Sequence, residues 1–295
     1  MKIVSYNIHY AIGKDERYDL ERVVDALRGA DIMALQEVER FYDTPQSPAQ
    51  PEDIAALLPD YYWVYDASFD IDCSEKQADG RIVNRRRQHG QMLLSRWPII
   101  SKRYFPLPRL PTTDEFNMQM GVLESLVDTP PGRLRIYNVH FGSVLAAERQ
   151  LQAAKIIELV REAPTQGGAW SGPNGEFAER DWCAGHPEPR LPRCAIALGD
   201  FNLHPDSDEY RLLCAAEDDD GAALLTDLWA RYNPGQKIAS WHSNPAKRGP
   251  VESALLDYCL VTPDLLDRVA ACWIDEAAAG SDHQPLWVEF DAGKN

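Results

Sequence analysis

The chain has 295 residues, 44% of them hydrophobic, which is enough for one large core. Its 46 acidic residues against 30 basic ones leave a formal charge of −16, which argues against a broad nucleic-acid-binding face. That argument is incomplete, because carboxylates gathered around a metal ion count as negative in the sum and are neutralised in place.

Residues 2–8 alternate as a strand, with no basic-then-apolar leader in "MKIVSYNIHY". In "DLERVVDALRGA", Leu20, Val23, Val24 and Leu27 fall at helical spacing, and "DIMALQEVE" reads as a second strand ending near Glu37. Further strands are expected at "YYWVY", "HGQMLLS", "GVLESLV", "LRIYNVHF", "CAIALGD", "LLDYCLV", "VAACWI" and "PLWVEF". A helix over about 146–162 places Ala147, Leu151, Ala154, Ile157 and Val160 on one face. Strands outnumber helices and mostly follow one another, as two stacked sheets with helices outside require.

The whole chain, 1–295, reads as a single domain with two insertions and no dividing linker. Residues 67–88 are polar and carry Arg85, Arg86 and Arg87, a charge run that either solvates a loop or meets an anionic substrate. Residues 164–192 are too long for an idle connection. Their Trp170 and Trp182, with Phe177 between, are expected to pack on something, either the domain's own edge, a second subunit or the wall of a substrate pocket.

The six cysteines are scattered with no C-x-x-C pair and are expected as small buried apolar residues, a Cys183–Cys194 bridge being the one open possibility. No apolar run approaches the roughly 18 residues of a membrane span. A soluble, cytoplasmic protein is expected.

Six short motifs deliver polar groups where apolar runs stop or, in one case, inside one: "SYNIH" with Asn7, "LQEV" with Glu37, "NVHF" with Asn138 and His140, "GDFN" with Asp200 and Asn202, "LLDYCLV" with Asp257, and "GSDHQPL" with Asp282 and His283. Singly, each has a plain structural explanation: a turn cap for Asn7, a solvated charge for Glu37, a turn for Asp200 and Asn202. Jointly, that explanation must be repeated six times at strand termini. A carboxylate inside an apolar strand also needs a partner, and an imidazole would serve Asp257.

Through "SYNIH", "LQEV", "GDFN" and "SDHQPL", in that order along the chain, the sequence resembles the endonuclease/exonuclease/phosphatase superfamily from residue 2 to about 290. The resemblance implies a DNase I-like fold, a four-layer α/β/β/α sandwich of two mixed sheets flanked by helices. It implies a divalent metal, Mg2+ or Mn2+, held by Glu37 with help from Asn7 and with Asp282 nearby, directly or through water. It further implies that His283 contacts the phosphate while Asp257 fixes its tautomer, that Asp200 orients or deprotonates the attacking water, and that Asn202 and His140 donate to phosphoryl oxygens. Asn138 would brace its strand. Many bacterial relatives carry an Arg just before "GVLESLV"; here Gln119 and Met120 stand there.

The expected function is metal-dependent hydrolysis of phosphate mono- or diesters, with a small-molecule or lipid-derived substrate favoured over DNA or RNA by the acidic balance. A catalytically inactive binding module on the same fold fits poorly, because every expected catalytic position holds a competent residue.

Overall fold

The computed structural model describes residues 1–41, 49–172, 182–183, 185–186, 188–189, 191–243 and 252–291. The middle of the 164–192 segment, Phe177 included, lies outside the described residues.

In chain order, β1 (Lys2–Asn7) leads through α1 (Leu20–Asp25) to a parallel β2 (Ile32–Arg40). Asp19 caps α1 by accepting from the Arg22 N–H, and Leu20, Val23, Val24 and Leu27 pack on Val4, Tyr6, Met33 and Leu35. Next come α2 (Gln50–Leu57), β3 (Tyr62–Asp72), the short β4 (Glu75–Lys76) and β5 (Ile82–Val83), β6 (Arg86–Ser95) and β7 (Ile99–Pro106). A second run gives β8 (Gly121–Thr129), β9 (Gly132–His140), α3 (Ala146–Gln166) and β10 (Ala195–Asp200). The rest is α4 (Asp208–Cys214), β11 (Thr226–Asp227), α5 (Leu228–Tyr232), β12 (Trp241–His242), β13 (Ser253–Ala254), β14 (Asp257–Val261), β15 (Val269–Ile274) and β16 (Leu286–Phe290).

Two six-stranded sheets result, ordered β15-β16-β1-β2-β6-β3 and β11-β14-β10-β9-β8-β7. Each has the same pattern of pairings. One parallel pair, β1 with β2 or β10 with β9, lies at the centre, and every other pairing is antiparallel. Ile3, Ile32, Ala34 and Leu93 of the first sheet share a core with Val122, Ile136, Ile196 and Leu198 of the second. Strand parity then sorts β9: Ile136, Asn138 and His140 look toward the first sheet, while Tyr137 looks out and donates to the Leu159 carbonyl of α3. The expected mixed α/β sandwich is therefore the observed one.

Several elements differ from expectation. Strand β7 is an edge strand whose apolar Ile99, Tyr104 and Phe105 are interrupted by Lys102 and Arg103, so no continuous apolar run marks it. Helices α2, α4 and α5 are short and show little periodicity. The polar 67–88 stretch is largely hairpin: β3 and β6 stay paired out to Asp72 and Arg86. All six cysteines are thiols, so Cys183 and Cys194 are not bridged. Among the described residues no helix is long and apolar enough to cross a membrane.

Candidate active site

Both central parallel pairs end at one rim. Register places Asn7 beside Gln36 in one sheet and Asp200 beside His140 in the other. The open carboxyl ends of parallel strands are where α/β sheets usually bind ligands. Here they border a cleft of about 380 Å³.

Glu37 reaches the cleft only because β2 is irregular. By simple alternation it would share the helix-facing side of Met33 and Leu35. The register with β6 shifts between Leu35 and Val38, and Glu37 takes φ 58°. This bulge turns the carboxylate back toward the second sheet. Asn138, fully buried, crosses from β9 to donate to the Leu35 and Met92 carbonyls and accepts from the Gln36 side chain, which fixes the bulge.

Asn7 Nδ2 donates to Glu37 Oε1 and to Asp200 Oδ2, both at 2.9 Å, so one amide joins carboxylates from the two sheets. Its Oδ1 accepts from the His9 N–H. Asp200 is directed by Gly199, whose φ is +151° and where an added Cβ would fall 1.9 Å from the Val139 carbonyl oxygen. Spacing alone suggests that Asp200 and Asn202 meet along an extended chain; the structure brings them together differently. The strand stops at Asp200, Asn202 turns left-handed at φ 49°, and its N–H donates to Asp200 Oδ1 at 2.9 Å. Asn202 Nδ2 also donates to the Phe141 carbonyl and to Asp200 Oδ2.

On the opposite wall, His283 Nδ1 pairs with Asp257 Oδ2 at 2.8 Å, and its Nε2 stands 3.6 Å from Asp200 Oδ2. The partner anticipated for the buried Asp257 is thus the expected imidazole. His140 Nε2 lies 3.6 Å from Asp200 Oδ2 and 3.8 Å from Glu37 Oε1. Asp282 is oriented by the Trp241 indole N–H at 3.1 Å and faces His9.

The electrostatics follow from burial and crowding. Burial alone would lower His283, but the Asp257 and Asp200 carboxylates reverse that and draw it up to about 10. Burial, then the Asp257 charge, raises Asp200 against the opposing His283 and the hydrogen bonds from Asn7 and Asn202. Burial lowers His140 to about 3, with His89 and His283 adding to it against Glu37, so its ring is neutral. For Glu37 burial acts upward, yet His140, His89, His9 and the Asn7 N–H outweigh it and hold the carboxyl at about 2.

The other expected residues lie elsewhere. Arg85 pairs with Glu75 at 3.1 Å, Arg86 with Asp70 at 2.7 Å, and Arg87 donates to the Phe41 carbonyl. None of the three lines the cleft, and neither do Trp170 or the largely exposed Trp182. Gln119, where the resemblance led to the expectation of an Arg, donates to the Leu107 and Met120 carbonyls, while Met120 itself lines the cleft.

Among the lining residues that escaped sequence reasoning are His89, Tyr10, Arg149 and Trp241. His89 shares the strand parity of Gln91 and Leu93, which face the second sheet, so its side could be read once β6 was assigned a face. Arg149 is held in the first turn of α3 by Glu209 and the Gly142 and Ser143 carbonyls.

Paired six-stranded sheets whose central strands converge on carboxylates, amides and imidazoles define a phosphoester hydrolase. The chain belongs to the Endonuclease/Exonuclease/phosphatase family, whose model matches residues 4–283. The family is divalent-metal dependent, and the described residues include two groups that could hold an ion, Glu37 with His89 and His140, and Asp200 with Asp257 and His283. Among solved structures, an endonuclease/exonuclease/phosphatase from Beutenbergia cavernae is 20% identical, covering 99% of this chain and 72% of that one, with a TM-score of 0.67. A mannosyl-6-phosphatase from Bacteroides thetaiotaomicron is 17% identical over 98% of both chains, TM-score 0.59. A 3′ phosphatase from Neisseria, bound to a product DNA hairpin, is 19% identical over 99% of both, TM-score 0.57. At these identities the likeness is one of fold. No curated protein sequence matches the chain.

Proposed function

We propose that this enzyme hydrolyses phosphate esters of a small or lipid-derived molecule by in-line attack of water, with Mg2+ or Mn2+ bound at Glu37. The observation that carries the reading is the position of Asp200 Oδ2, shared by Asn7 at 2.9 Å and by His283 and His140 at 3.6 Å each. One carboxylate oxygen thus faces one amide and two imidazoles at the mouth of a cleft.

The residues fit a cation. Glu37 Oε2 is buried without a hydrogen-bond partner, and Asp282 adds a second carboxylate on the same rim. Hard oxygen donors suit Mg2+ or Mn2+. When bound, such an ion supplies charge neutralisation at the phosphoryl and leaving oxygens. Asn7 orients Glu37 and Asp200 together. Asp200 receives the proton of the attacking water, and burial favours that role by raising its basicity. His283 donates from Nε2 to a phosphoryl oxygen, while Asp257 holds Nδ1–H and with it the tautomer. His140 and Asn202 face the same space and complete the donor set.

Substrate charge is met by Arg149 and the imidazoles, while Met118, Met120, Leu256 and Trp241 line the remaining walls. Few cations and several apolar walls favour a compact or lipid-derived ester over a nucleic-acid backbone. Two structural relatives named as phosphatases favour phosphomonoesters as the first compounds to try.

The test is a panel with Mg2+ or Mn2+: sugar and inositol phosphates, sphingomyelin, bis-nitrophenyl phosphate, and single- and double-stranded DNA and RNA. EDTA should abolish turnover and either ion should restore it. Full activity after chelation would refute the metal role, and faster turnover of DNA or RNA than of every small ester would refute the substrate class.

A further inference from the structure

Beside Glu37 stands a histidine for which the hydrolytic mechanism above has no use. His89 is 1% exposed, yet neither of its ring nitrogens has a hydrogen-bond partner. A buried imidazole left in this state loses the hydrogen bonds water would give it, at a cost of about 1–3 kcal/mol. It is not shelved in the core, because it lines the cleft and its ring lies 5.9 Å from that of His140. Burial also lowers its basicity, so the ring is a neutral lone-pair donor, the form in which histidine binds metals.

Donor atoms of His89, His140 and Glu37 all lie within 4.8 Å of one another. Ligand bonds of roughly 2 Å at a tetrahedral angle would set such atoms about 3.3 Å apart, so closing on one ion asks for shifts of up to about 1.5 Å. Glu37, whose Oε2 is buried without a hydrogen-bond partner, is the carboxylate of this group. Two imidazoles and one carboxylate form a set that Mg2+ does not favour and that Co2+ and Zn2+ accept readily.

We infer that His89, with His140, makes the Glu37 site a mixed nitrogen–oxygen metal centre that selects a transition metal over Mg2+. The inference rests on Glu37 being a metal ligand, as proposed above. A ring nitrogen cannot ligate an ion and donate a proton at once. In the transition-metal form, His140 therefore gives up its donor role and the ion carries that charge.

The experiment titrates EDTA-treated protein with Zn2+, Co2+ and Mg2+ by calorimetry and follows the visible absorption of the Co2+ form. Variants H89Q and E37Q are titrated alongside. H89Q should weaken Zn2+ and Co2+ binding by about tenfold or more, shift the Co2+ bands, and change the Mg2+ affinity by less than about threefold. E37Q should weaken all three ions. If E37Q does so and H89Q leaves Zn2+ affinity and the Co2+ bands unchanged, the inference fails and the Glu37 assignment stands. If E37Q leaves Mg2+ binding intact, the assignment itself fails. Wild-type protein labelled at histidine nitrogens needs no variant to fold: Zn2+ should move ring-nitrogen resonances of two histidines, and a spectrum unmoved by Zn2+ overturns the inference.

Discussion

Replacing Asn138 with Leu tests whether a residue outside the chemistry sets the geometry of the site. The substitution nearly preserves volume but removes three buried hydrogen bonds: two donated to Leu35 and Met92, one accepted from Gln36. At about 1 kcal/mol net for each bond, the loss is about 3 kcal/mol, more if the abandoned carbonyls stay dry. At about 2–4 °C per kcal/mol for a large domain, melting should fall by about 6–12 °C. Urea denaturation measures the free energy directly. Because the same bonds fix the bulge that aims Glu37, metal affinity should weaken in the variant at temperatures where it is fully folded. A loss below about 1 kcal/mol, with an unchanged metal titration, would refute the claim that Asn138 holds the bulge.

His283→Ala should cut turnover by about two orders of magnitude or more, and Asp257→Asn by less; the double variant should resemble His283→Ala, since groups acting as a unit are non-additive. Losses that multiply in the double variant would show the pair acting independently. Gly199→Ala should destabilise the protein by several kcal/mol and lower turnover, because the new Cβ would be driven into the Val139 carbonyl while φ is left-handed; wild-type stability in a denaturation assay would contradict this. Burial, then the Glu37 charge, pushes the Glu39 carboxyl from 4.5 up to about 8 against the opposing Arg87. Its stabilising contribution is therefore complete below pH 4.5 and is lost as pH rises toward 8. In EDTA-treated protein, Glu39→Gln should lose less stability than wild type between those limits, and parallel stability curves would sink the assignment.

The strands that carry the site were legible because apolar runs stop abruptly at Asn7, His140 and Asp200, a signal that needs no tertiary information. Asp257 was legible for a related reason, since a carboxylate inside "LLDYCLV" demands a partner. The aim of Glu37 was not legible. It depends on a bulge supported by a residue about a hundred positions away, and a bulge has no period. His89 looked like the polar start of an apolar strand until the facing sheet gave its parity a meaning. The arginines at 85–87 were misleading for the opposite reason. Their balancing acids, Asp70 and Glu75, are far enough back in the chain that only hairpin register pairs them. The left-handed turn at Asn202 replaced an argument from extended spacing with one from a local hydrogen bond.

The division of strands between the two sheets has a bearing on how the protein is made. The second sheet draws all its strands from one continuous stretch, residues 99–261, and can assemble while synthesis continues. The first sheet cannot. Strand β1 is made long before its antiparallel neighbour β16, and the Met1 amine meets the Phe290 carbonyl across a separation of 289 residues. Until that neighbour arrives, one edge of β1 offers unpaired backbone groups to any other strand, a stage exposed to mispairing. Asp282 and His283 arrive in the segment just before β16. A nascent chain can therefore have its Asp200 half of the rim in place and still lack the imidazole opposite, so under the proposed mechanism hydrolytic competence and closure of the first sheet are reached in the same step.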